Sequence, residues 1–127
     1  MGPVNWLAVI LAVGAALLVA AVWYGPVFGH VRRVVLEPVM LALTAVLLLL
    51  TSAMMGHMFA RVGGATLAQK PWLYFMMSGG LALAFVIPAL MISYSQQRIA
   101  ARLALIDAGF WLVGYLTMGL MFLLLKA

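Results

Sequence analysis

Cysteine is absent from this 127-residue chain, and acid nearly so, with Glu37 and Asp107 as its two carboxylates. Without cysteine there is no disulfide, no thiolate nucleophile and no Cys-ligated zinc or iron–sulfur centre. The sequence holds no paired carboxylates, no phosphate-binding glycine loop and no nucleophile–base couple, so no enzyme is expected. Charge of either sign is scarce as well. Charged residues make up 7% of the chain, against about a quarter in a soluble domain. That is far too little to cover a surface facing water.

What is present is apolar sequence, 69% of all residues. A helix needs about 20 mostly apolar residues to cross the hydrocarbon core, and four runs meet that length. They extend from about Val4 to Tyr24, Pro38 to Ala60, Trp72 to Tyr94 and Leu103 to Leu125. The expected fold is all-α, a polytopic transmembrane four-helix bundle forming one domain over residues 1–127. "MGPVNW" lacks the basic residues of a signal peptide, and the run behind it is of full span length, so a retained first helix is expected.

Four spans put both termini on one side of the membrane, side B, and the 1–2 and 3–4 connections on the other, side A. The aromatic belts agree with this count. Trp6, Trp72 and Tyr74 fall at side B, and Trp23, Tyr24 and Tyr94 at side A. Side A carries Arg32, Arg33, Arg98 and Arg102; side B carries Arg61, Lys70 and Lys126. The excess of basic residues favours side A in the cytoplasm. Because these residues sit at helix ends, anionic lipid headgroups rather than nucleic acid are the expected counter-charge.

Helix breaks and packing faces are also legible. Gly25-Pro26 is expected to break the first helix, "RVGGATLAQKP" to form the 2–3 loop, and Pro88 to release a carbonyl and kink the third span. Ala8, Ala12, Ala16 and Ala20 recur every four residues, a stripe that admits close packing. Ser78-Gly79-Gly80 offers a similar face on span three, and Gly109, Gly114 and Gly119 on span four. Span two, with "VLLLLT" at its centre, lacks such a stripe and is expected to face lipid most.

Asp107 is the leading candidate site. An acid inside a span is expensive and needs a partner. Tyr24, Arg32, Arg33, Arg98, Arg102 and His30 are available on side A. The expectation is that Tyr24 or an arginine bonds Asp107 and locks span one to span four. His30 and His57 are too far apart to share a metal, and the ten methionines read as ordinary core filler. No metal or cofactor is expected.

The stretch "NWLAVILAVGAALLVAAVWYGPVFG" at 5–29 resembles the opening of a family of small bacterial membrane proteins, domain of unknown function 1761. The shared pattern is Asn5-Trp6, then an apolar helix closed by Trp23, Tyr24, Pro26, Phe28 and Gly29. "GLALAFVIPAL" at 80–90 and "LIDAGFWLVGYLTMG" at 105–119 are similar to its second half. The chain departs after Gly29, where the family often has Lys and Trp and this sequence has His30 and Val31. The resemblance implies a four-helix domain in a bacterial inner membrane and supplies no activity. Three roles are compatible with these residues. The first is a self-associating or accessory subunit of a membrane assembly. The second is a small channel or permease using Asp107, and the third a binder of lipid or another hydrophobic molecule at the Pro88 kink.

Overall fold

The structure, a computed structural model, describes residues 3–31 and 37–125. Arg32, Arg33 and Lys126 therefore lie outside the described residues. Four helical spans cover Trp6–Val27, Pro38–Val62, Trp72–Gln96 and Ala101–Leu124, each long and apolar enough to cross a membrane. The first comprises α1 (Trp6–Val22) and a π-helical turn (Trp23–Val27), and the second is α2 (Pro38–Val62). A short α3 (Gly64–Gln69) follows. The third span is α4 (Trp72–Leu81), a second π-turn (Ala82–Val86) and α5 (Ile87–Gln96), and the fourth is α6 (Ala101–Leu124).

Two expectations about breaks are corrected. Gly25-Pro26 does not end the first helix. The chain adds one residue to the turn, so that the Phe28 amide donates to Trp23 O five residues back at 2.8 Å. This wider turn holds Pro26 inside the helix. The 2–3 connection, expected as a loop, contains α3, entered through Gly63 at φ +94°. A β-carbon there would be strained, so glycine is the residue that lets α2 stop and α3 start at once.

The first and fourth spans form the centre of the bundle. The second span packs along the first, and the third along the fourth. Ala8, Ala12 and Ala16 are fully buried, with Val9 beside them, while Ala20 is only half-buried at the end of the stripe. On the fourth span Gly119 lets the third span approach, since a Cβ there would collide with Ser78 Oγ and lie 2.7 Å from Tyr74 O. Gly79 meets Leu116 in the same way. Gly114 is buried, but what lies over it is Phe110 of its own helix, so it makes no small-residue contact with a neighbouring span. The second span is not the most exposed. It buries 22% of its apolar window against 17% for the third and 50% for the fourth.

Polar side chains finish the packing. Asn5 caps α1 by accepting from the Ala8 amide at 3.2 Å, and its amide donates to Leu125 O at 2.7 Å. One residue thus closes the start of the first span and the end of the fourth. Ser52 Oγ, fully buried, donates to Val9 O at 2.8 Å and ties span two to span one. Phe59, Tyr74 and Phe122 stack with ring centroids 4.9 and 5.0 Å apart, joining spans two, three and four near side B. Ser52→Ala is expected to lower stability by about 1 kcal/mol, the usual worth of one such bond between membrane helices. Thermal unfolding in detergent would check it.

Candidate functional site

Asp107 lies six residues into α6, about 9 Å below its side A end at 1.5 Å per residue. It is 5% exposed. Both of its carboxyl oxygens accept hydroxyl donors. Tyr24 Oη donates to Oδ1 at 2.6 Å, and Tyr94 Oη donates to Oδ2 at 2.6 Å. Both lie at the short end of the range for hydroxyl donors on oxygen. One side chain of span four is thereby joined to span one and span three at once.

The local structure explains how the two tyrosines arrive there. Tyr24 sits in the first π-turn, next to Trp23, whose indole donates to Ile106 O at 3.0 Å. Both side chains therefore reach α6, the indole lying against Gly109. Gly109 provides the space, since a Cβ there would be 2.9 Å from Trp23 Cζ2. Phe28 folds back onto Trp23 with ring centroids 5.1 Å apart, and Tyr24 packs on Phe110 at 5.4 Å. Gly29 closes the motif because its Cβ would collide with Gly25 O and stand 2.6 Å from Tyr24 O.

Tyr94 is delivered by the tight turn after α5. The Ile99 amide donates to Tyr94 O at 3.0 Å and the Arg98 amide to Ser95 O at 3.2 Å, the paired bonds of a Schellman C-cap. Arg98 occupies its left-handed position at φ +56°, where glycine is usual. The turn brings span three back onto span four within a few residues, so Tyr94 and Asp107 face each other although 13 positions apart. Sequence reasoning missed Tyr94 because an interfacial tyrosine already has an explanation in the aromatic belt. The available signal was its placement, with Asp107, on either side of one short connection.

The remaining candidates are placed as follows. Arg102 is exposed at the side A end of α6. Arg32 and Arg33 fall outside the described residues, and Asp107, Tyr24 and Tyr94 have interactions beyond those given above. His57 Nδ1 lies 2.7 Å from Ala53 O; as a carbonyl only accepts, this nitrogen carries the proton. Its ring meets the edge of Trp6 at 5.8 Å. In the middle of the bundle the Tyr115 hydroxyl lies near that of Thr51, and among the described residues no buried side-chain polar atom lacks a partner. The site is a hydrogen-bonded hub joining three helices below the side A surface.

The family model described as "Protein of unknown function (DUF1761)" matches residues 7–123. No curated protein and no solved structure matches the chain.

Proposed function

We propose that this chain, which belongs to the DUF1761 family, acts by packing, as an accessory or self-associating subunit of a larger membrane assembly. The observation that carries this reading is the state of the second span. From Pro38 to Thr44, about two turns, every residue is exposed, whichever face of the helix it lies on. The same span is well packed further on, where Leu48, Ser52, Met55, Gly56 and Phe59 are buried. A helix anchored further along and bare on all sides over its first two turns presents those turns to something outside the chain. The membrane is taken to be a bacterial cytoplasmic membrane, with side A inside and its arginines against anionic headgroups.

The permease reading uses the same Asp107 as an ionisable element on a pathway. Its weakness is that the carboxyl is capped by two phenols, and the interior at mid-depth is closed by Ala12, Ala16, Ala82, Tyr115 and Met118. Native mass spectrometry of protein extracted gently from its own membrane tests the packing reading. Packing predicts a mass above that of one chain, with a second copy or another protein retained. A lone chain with nothing bound would reject it.

A further inference from the structure

The third span contains a backbone defect at mid-membrane. Ala84 is twelve residues from Trp72 and twelve from Gln96, about 18 Å from either end of the span. At the second π-turn the Ile87 amide donates to Ala82 O, five residues back rather than four. From Ile87 onward α5 resumes the four-residue ladder, so the Leu90 amide serves Val86 O. Between these two bonds lie three carbonyls, those of Leu83, Ala84 and Phe85. A single amide remains for them, that of Ala89, because Pro88 has no N–H. Three acceptors and one donor leave two carbonyls without an amide. An α-helix broken by proline alone would leave one.

A polar group left unbonded in hydrocarbon costs several kcal/mol, and membrane proteins satisfy such groups from neighbouring helices. Among the described residues no side-chain donor is bonded to these carbonyls. The hydroxyls of Thr44, Thr51, Ser52, Ser78 and Thr117 are each bonded to a different carbonyl. Nor is the step covered by the bundle, for Leu83 is 59% and Phe85 68% exposed, with Ala84 and Pro88 exposed beside them. Lipid headgroups lie too far away, the hydrocarbon half-thickness being about 15 Å. A second copy offers Thr44, Thr51 and Thr117, which already donate within their own helices, and Trp111, whose ring is packed against its own core.

We infer that the step at Leu83–Pro88 is the docking surface for a transmembrane helix of a different protein, one that presents a side-chain hydrogen-bond donor at mid-membrane. This rests on the assembly reading and names its surface and the chemistry of the partner.

The test is photocrosslinking in the native membrane with Phe85→benzoylphenylalanine, alone and combined with Pro88→Ala. Pro88→Ala restores one amide, which strengthens the isolated helix but removes an acceptor. The expected result is an adduct to a membrane segment of another protein, mapping within one turn of a Ser, Thr, Asn, Gln or Trp. Its yield should fall at least tenfold with Pro88→Ala while the thermal midpoint of the purified chain holds or rises. Pro88→Gly, which restores the same amide without favouring helix, should lower the yield likewise. Adducts to lipid or to a second copy alone, or a yield indifferent to both substitutions, would overturn the inference. If the wild-type chain is monomeric in its own membrane, the assembly reading falls with it. If it is assembled but insensitive at Pro88, only the docking surface falls.

Discussion

Asp107→Leu is expected to destabilise the protein by about 3 kcal/mol, the cost of leaving two buried hydroxyls without the acceptor they share. Leucine fills the volume but leaves the hydroxyls of Tyr24 and Tyr94, each 2.6 Å from a carboxyl oxygen, without that acceptor. Asp107→Asn keeps one oxygen that can still accept, and the loss should be about half as large. The pairing makes a sharper statement than either magnitude. Tyr24→Phe in the wild-type background should cost about 1 kcal/mol, and clearly less when Asp107 is already leucine. Tyr94→Phe should behave in the same way. Equilibrium unfolding in mixed micelles reads all of these values. Additive losses would mean that the tyrosines and Asp107 stabilise the bundle separately, and the hub would be dismissed.

Gly119→Val is the second large effect. Its Cβ alone would collide with Ser78 Oγ and stand 2.7 Å from Tyr74 O, which is backbone and cannot swing aside. Ser78 is fixed too, because its hydroxyl donates to Tyr74 O at 2.7 Å. The fourth span would have to move off the third, and overpacking of this kind costs about 3 kcal/mol. Gly14→Ala is the matched control, for nothing lies within 4 Å of the Cβ it would carry. Its effect should stay within about 0.5 kcal/mol. Equal losses at the two glycines would show that close approach to the third span does not set the cost, since alanine is the better helix former.

These two sites show how far the sequence could be read. The spans were legible because hydrocarbon thickness demands runs that nothing else in a 127-residue chain requires. Tyr24 could be anticipated as a partner because an acid within a span has to be answered by a donor at the same depth. The two π-turns could not. Gly25-Pro26 and Pro88 signal that a helix is disturbed, but an added residue shows in a sequence only by shifting the apolar face. In a membrane span every face is apolar, so there is nothing to shift. The bare opening of span two was hidden for the same reason. Leu41, Leu43 and Leu47, exposed, and Leu48, buried, are the same residue type in one run. Lipid and protein interior do not discriminate between them.

Proton flux through the purified protein in sealed vesicles tests most directly whether Asp107 holds the bundle together or conducts. If it is a structural hub, vesicles carrying the wild type and Asp107→Asn will leak protons at the rate of protein-free vesicles, with the difference between them confined to stability. A wild-type flux that Asp107→Asn abolishes would contradict this, and would make the carboxyl beneath Tyr24 and Tyr94 part of a pathway.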